Sequence, residues 1–340
     1  MYDRDTAMLE KYELTIQSIR KVRGGWLCCA QEGNFLWKET GVTEGRLQVE
    51  ASICRMIEEA GLNALWQDLG NKRRLKVEQF VCNQDGVYLT TDDYGRSFYL
   101  KTWTEGRECD VQDAEDLNQG AAACACFRKV SNGTVPIDTF VSGGTVLTDT
   151  WIRRRREMNR VVRYICRRRN KNAFEQMVMQ ETPYYRGQAD QALGLLQEWG
   201  CLDASNLQGL CHGDYHYHNL IFNAKELCIS QSSRFHMGYP ITDFYQFLRK
   251  CLEKQKWNWH LAIDLIMAYQ KVCPMSEIER RLLYCLFLFP EKYWKQLNFY
   301  MQSNKAWMPE KNLVKLRNII NQEPLRQDFL EKLHTIILPF

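Results

Sequence analysis

Short apolar runs alternate with polar turns over the first hundred residues. "ELTIQSIRKV", "GWLCCAQ" and "FLWKET" each have the length and β-branched or aromatic content of a strand, and "EGN" turns the chain between the last two. The period changes from Thr43 to Ala60. There Leu47, Ile53 and Ile57 fall on one side and acids and arginines on the other, which predicts a helix closed by Gly61. Strand patterning then resumes. "KVEQFVC" and "VYLTT" flank the turn "NQDG", and "RSFYLKTW" follows "DDYG". Residues 1–102 thus read as a small antiparallel sheet with one inserted helix, an N-lobe.

After Trp103 the character shifts. "TWTEGRECD" is a connector with a glycine pivot, so 103–109 reads as a hinge. Residues 110–340 read as a larger helical C-lobe, with a polar loop at 210–223 and a short hairpin after it. Helices are expected in "DFYQFLRKCLEK", "AIDLIMAYQKV" and "IERRLLYCLFLF", and loops in "GGTVLTDT" and "QETPYYRG". The expected fold class is α+β. In "WIRRRREMNRVVRYICRRRNKN", Ile152, Met158, Val162 and Ile165 can share a helix face while arginines crowd the others. Arg153 to Arg169 form either a solvated basic face or a docking surface for an acidic partner or polyanion. The stretch lacks the exposed aromatics that interleave with basic residues in nucleic-acid binders, so no nucleic acid is expected.

Composition adds limits. The chain has 340 residues, 45% hydrophobic and 25% charged, with a net charge of +4, enough for a sizeable core and too balanced for bulk polyanion binding. The fourteen cysteines are scattered through apolar runs with no CxxC pair, and so read as reduced core residues. The alternative is disulfide cross-linking on later exposure to an oxidising environment. The start, "MYDRDTAMLEKYEL", has no apolar signal region, and the stretch around Leu282 to Phe289 is too short for a bilayer. A soluble protein made in the cytosol, with no membrane partner, is expected.

The densest chemistry lies in "LCHGDYHYHNLIFN", residues 210–223. His212, His216 and His218 offer nitrogens for a metal, but no further ligand sits at a familiar spacing. Asp214 and Asn219 instead combine a carboxylate with a carboxamide in a loop anchored by apolar flanks, as phosphoryl transfer requires. A bland alternative packs His212 under the loop and uses Asp214 to cap a turn. Upstream, Lys38 sits mid-strand in "FLWKE", where it could face phosphate, and Glu50 in the next helix could pair with it.

"CHGDYHYHN" resembles the catalytic loop of the aminoglycoside phosphotransferase and choline kinase group, whose fold is kinase-like. Within that group the chain resembles the spore coat CotS family, in "YELTIQSIRKVRGGWLC", in "LKTWTEGRECDV", in the loop followed by "NLIF", and in "GYPITDFYQFL" with Pro240 and Asp243. The resemblance implies a two-lobed kinase-like fold and a place in the coat of endospores, after synthesis in the mother cell. Carried over by position, it makes Lys38 the phosphate-binding lysine, Glu50 its helix partner, Asp214 the catalytic aspartate and Asn219 a metal ligand. Thr102, Trp103, Glu105 and Gly106 would belong to the adenine-binding hinge.

One element departs from that pattern. Active relatives carry Ile-Asp-x-Asp at the end of the hairpin, and the first Asp holds Mg²⁺. This chain reads Ile229-Ser230-Gln231-Ser232, and Leu227 to Phe235 contains no carboxylate. Glu226 lies at the far end of the hairpin, and "RGGWLCCAQEGN" is no phosphate cradle. Ser230 and Ser232 replace the expected acids, so no protein-held metal and no cofactor are expected; ATP with Mg²⁺ would serve only an active member. The expectation is a pseudokinase used in coat assembly, with other coat proteins as partners. The alternative is an ATP-dependent phosphotransferase acting on a hydroxyl or amine.

Overall fold

The structure is a computed structural model and describes residues 8–22, 24–136, 147–201, 207–303 and 310–337. Contacts group the chain into two compact units, 1–141 with 209–247 and 268–273, and 142–208 with 248–267 and 274–340.

The first unit opens with β1 (Ile16–Val22), β2 (Gly25–Ala30) and β3 (Gly33–Thr40), then α1 (Glu44–Glu59) and α2 (Leu62–Asp68). Gly61 separates the two helices at φ +85°, the left-handed C-terminal turn that glycine adopts without a Cβ penalty. The second helix, α2, is absent from the sequence expectation. After it come β4 (Arg74–Val77), β5 (Phe80–Val81), β6 (Thr90–Thr91), β7 (Ser97–Thr102), β8 (Arg107–Glu108) and α3 (Ala114–Thr134) in the same unit. Trp37, 1% exposed, stacks on Phe98 at 4.5 Å and anchors the sheet's core with Leu9, Tyr12 and Cys28. Such a ring pair adds roughly 0.5–1.5 kcal/mol beyond its buried area.

The expected single sheet is two. One runs β1-β2-β3-β7-β5, with β6 also on β7. "KVEQFVC" divides at Glu78. Its second half, β5, stays on β7, while β4 joins a different sheet of order β4-β11-β10-β8. There β10 (Leu220–Phe222) and β11 (Glu226–Ile229) form the expected hairpin, with Leu220 opposite Ile229. Because β11 runs parallel to β4 with Ile229 beside Val77, Glu78 lies next to the residues that follow the hairpin. A short third pairing joins β9 (Gly209–Cys211) to β12 (His236–Gly238).

The second unit is helical. Its elements include α4 (Leu147–Cys166), α5 (Ala173–Glu198), and, after α6 (Ile241–Lys254) and α7 (Trp259–Val272), α8 (Glu277–Leu288), α9 (Glu291–Gln302) and α10 (Glu310–Ile337). Two expectations are corrected here. "QETPYYRG" is no loop but the middle of α5, with Pro183 inside the helix. Burial of Val178, Thr182, Tyr185 and Ala189 on one face, and Tyr185 stacked on Tyr293 at 4.0 Å, outweigh the missing amide. The buried stripe of α4 is Trp151, Met158, Val161 and Ile165, with Ile152 and Val162 only half-buried. Stacking of Trp151 on Phe289 at 4.4 Å sets that rotation. Of "GGTVLTDT", residues 143–146 lie outside the described residues and 147–150 open α4. Most of the fourteen cysteines are buried. Among the described residues no helix is long and apolar enough to cross a membrane.

Candidate functional site

The loop runs from β9 through a 3-10 turn at Tyr217–Asn219 into β10. Its shape is held from below. His212 is fully buried, with Nε2 at 3.0 Å from the Ser230 carbonyl and Nδ1 accepting the Asp214 amide at 3.3 Å. Those roles make Nε2 the protonated nitrogen, and burial pushes the imidazole pKa down to about 4. Asp243, in the first turn of α6, accepts the His212 amide at 2.6 Å and the Gly213 amide at 2.9 Å. Burial raises its carboxyl to about 6, against the pull of those two amides. Gly213 has φ +79°, and a Cβ there would lie 2.3 Å from the Arg234 carbonyl, so this position needs glycine.

This scaffold presents Asp214, His216, His218 and Asn219 to a cavity of about 300 Å³, which Lys38, Gly24, Trp103 and Ser230 also line. Asp214 Oδ1 accepts from Gln246 Nε2 at 3.1 Å and lies 3.3 Å from His216 Nε2. His216 Nδ1 accepts the His218 amide, which leaves Nε2–H for the aspartate. Asn219 Nδ2 donates to the Asp214 carbonyl at 2.8 Å, so its oxygen is the end left for a ligand. His218 is drawn instead to Glu108. The three histidines therefore do separate jobs, and among the described residues no three His, Cys, Asp or Glu side chains gather to hold a metal.

The other sequence candidates are placed as follows. Lys38 lines the cavity, and its Nζ donates to Gln231 Oε1 at 3.4 Å. Glu50 does not pair with it. Glu50, 1% exposed, takes Arg46 Nε at 2.8 Å, and Arg46 also reaches the Phe235 carbonyl. Burial raises the Glu50 carboxyl, only partly offset by Arg46. Thr102 and Trp103 line the cavity. Glu105 and Gly106 are placed beyond its lining: the Glu105 carbonyl accepts from Asn223, and Gly106 packs so closely that a Cβ would meet the Phe222 carbonyl at 2.4 Å.

Sequence reasoning missed Glu78 and Lys101. Lys101 Nζ donates to Glu78 Oε1 at 2.8 Å and to Ser232 Oγ at 2.9 Å, all three side chains being buried. Ser232 returns its amide at 2.7 Å and its hydroxyl at 2.8 Å to the same Glu78 oxygen. Burial alone would raise the Glu78 carboxyl and lower the lysine. Their mutual attraction outweighs it, so Glu78 is held below and Lys101 above the ordinary values. The signal was in the sequence. A charged residue flanked by apolar strand residues singled out Lys38, and Lys101 in "FYLKTW" has the same surroundings.

The residues can be tested against Mg²⁺, which takes near-octahedral oxygen ligands with one or two carboxylates. Ser230, the position that the sequence resemblance gives to that carboxylate, carries a neutral hydroxyl whose Oγ donates to the Asn219 carbonyl at 3.0 Å. Ser232 and Glu78 are committed to Lys101, and Glu226 to Lys76 at 2.7 Å on the opposite end of β11. Of the other carboxylates lining the cavity, Glu108 is paired with His218, and Asp214 accepts from Gln246 and lies beside His216; with the neutral Asn219 oxygen, this donor set does not fit a Mg²⁺ centre of the kinase type.

The family model described as "Spore coat putative kinase YutH" matches residues 10–333. The chain belongs to the YutH family. It is also similar to Spore coat protein S of Bacillus subtilis, 24% identical over 258 residues, 73% of this chain and 72% of that protein. Among solved structures it is similar to an aminoglycoside phosphotransferase from Alicyclobacillus acidocaldarius, with a TM-score of 0.83, 18% identity, and 98% and 96% of the two chains covered. A microcompartment-associated aminopropanol kinase follows at a TM-score of 0.66, 14% identity, and coverage of 98% and 99%. These likenesses establish a two-lobed, kinase-like α+β fold for this YutH-family chain.

Proposed function

We propose that this YutH-family chain serves in the spore coat as an assembly component, a kinase-like scaffold that does not run Mg²⁺-dependent phosphoryl transfer. The observation that carries the reading is Ser230, a neutral hydroxyl bonded to the Asn219 backbone at the position a metal-holding acid would occupy. The metal neutralises charge on the transferring phosphoryl group. Loss of one preorganised electrostatic group costs roughly 10²–10³ in rate in other enzymes, and loss of a metal costs at least that. Synthesis in the mother cell and binding to other coat proteins belong to the same reading.

A second reading, phosphotransfer to a small or polymeric hydroxyl or amine, draws on the support given to Asp214 by His216 and Gln246. The two separate in a thermal-shift titration with ATP. A bound ligand stabilises the native state by RT ln(1 + [L]/Kd). The scaffold reading expects either no shift or a shift, through Lys38, that is the same with and without Mg²⁺. A shift that appears only with Mg²⁺, accompanied by ATP turnover, would establish the phosphotransferase instead.

A further inference from the structure

The arginine-rich stretch resolves into two sets. Three arginines are engaged by neighbouring helices or by the start of α5. Arg154 lies over the Trp294 ring at 4.2 Å and 3.9 Å from Glu291, Arg155 pairs with Asp190, and Arg168 reaches Glu175 at 3.0 Å. Six are exposed, and Arg169 stands apart from the other five, Arg153, Arg156, Arg160, Arg163 and Arg167. Their spacing alternates between three and four residues, so they form one line along α4 and the turn that continues it. At 1.5 Å per residue the line is about 21 Å long. Arg153 comes no nearer than 4.0 Å to Glu157, and the other four have no carboxylate partner among the described residues. Like charges at such spacing destabilise a helix, so the stripe is an unbalanced charge that α4 carries at a cost.

We propose that this stripe docks an acidic α-helical segment of another protein, one whose carboxylates repeat at the same three- and four-residue spacing. Two helices packed side by side keep such rows in register, as flanking charges do in coiled coils. Guanidinium forks meet carboxylates in bidentate pairs, which arginine does better than lysine. A membrane surface fits less well, because the apolar face of α4 is already buried by Trp151, Met158, Val161 and Ile165 and cannot insert. Duplex nucleic acid fits less well, because a single row with no exposed aromatic in it offers little beyond one line of charge, and the net charge is only +4. The inference deepens the assembly reading, which supplies the coat as the source of the partner. The stripe also identifies which arginines to change: reversing Arg154 or Arg155 would break contacts inside the helical unit.

The test is binding of the full chain, by fluorescence anisotropy, to a labelled Ala/Gln-based helical peptide with five glutamates at alternating three- and four-residue spacing. A peptide of equal composition with the glutamates permuted around the helix is the comparison. The stripe predicts at least tenfold tighter binding of the registered peptide, weakening with salt. It also predicts roughly tenfold loss in Arg156→Gln/Arg160→Gln/Arg163→Gln, three exposed ion pairs together. Melting of that variant at the wild-type temperature shows it folded, and the Lys versions of the same substitutions retain part of the affinity. Equal binding of the permuted peptide, indifference to the triple substitution, or tighter binding of a DNA duplex or of vesicles rich in anionic lipid would overturn the proposal. The ATP titration is untouched by these substitutions, so failure here and failure of the assembly reading are told apart.

Discussion

Lys101→Met is the substitution whose consequence follows most directly from the geometry. Methionine keeps the length of the stem and removes the charge. Glu78, 5% exposed, is left with only the Ser232 amide and hydroxyl as donors. Removing one partner of a buried ion pair typically costs 3–5 kcal/mol, because the remaining charge is desolvated without compensation. For a cooperative unit of about 150–250 residues each kcal/mol lowers Tm by roughly 2–4 °C, so a fall of about 10 °C at pH 7 is expected. The pH dependence carries the mechanism. In the wild type the Glu78 carboxyl is held low, so its contribution is present above the unfolded value near 4.3 and is lost as pH falls through the lower folded value. In the variant burial dominates and the carboxyl moves up, so the damage grows as pH rises above that value and eases on acidification. The gap between the two melting temperatures should therefore shrink from pH 7 to pH 5. The double variant Lys101→Met/Glu78→Gln should recover most of the loss. Circular dichroism melts at both pH values measure all of this. A single-variant shift under about 3 °C at pH 7, or a double variant no better than the single, would refute the Glu78–Lys101 pair as a stabilising element.

Two further outcomes follow from the loop. His212 should stay neutral, with the proton on Nε2, until the pH approaches about 4, as read by imidazole ¹⁵N shifts; a midpoint near 6.5 would mean that it is not buried as described. Since its folded value is depressed, its contribution to stability is lost as pH falls from about 6.5 towards 4. Gly213→Ala should cost at least 1–3 kcal/mol in thermal melts, since it meets both the positive φ and the Arg234 carbonyl; a neutral effect would show that the loop can relax.

Local pattern made much of this legible. Strands β1 to β3 and helix α1 announce themselves by period, Gly61 by its place after the last apolar turn, and the β10–β11 hairpin by apolar runs around a polar turn. The family resemblance and the Ser230 departure were likewise readable. What escaped was settled by tertiary partners. Helix α2 is short and held by burial of Leu62 and Trp66. Helix α5 runs through Pro183 because its buried face keeps it helical. The rotation of α4 depends on Phe289, far along the chain. Glu50 looked like a partner for Lys38, yet Arg46, one turn earlier on the same helix, reaches it first. Glu78 and Lys101 are 23 residues apart, and only the division of "KVEQFVC" between two sheets brings Ser232 to both.

The central claim is that the site lacks a metal-holding acid where Ser230 stands, with the rest of the loop in order. Isothermal titration of ATP, with and without Mg²⁺, into the wild type and into Ser230→Asp tests it most directly. The account predicts that Mg²⁺ makes no difference to the wild type, and that the new carboxylate, at a position lining the cavity, makes ATP binding Mg²⁺-dependent. Mg²⁺-dependent binding by the wild type, unchanged by the substitution, would contradict it.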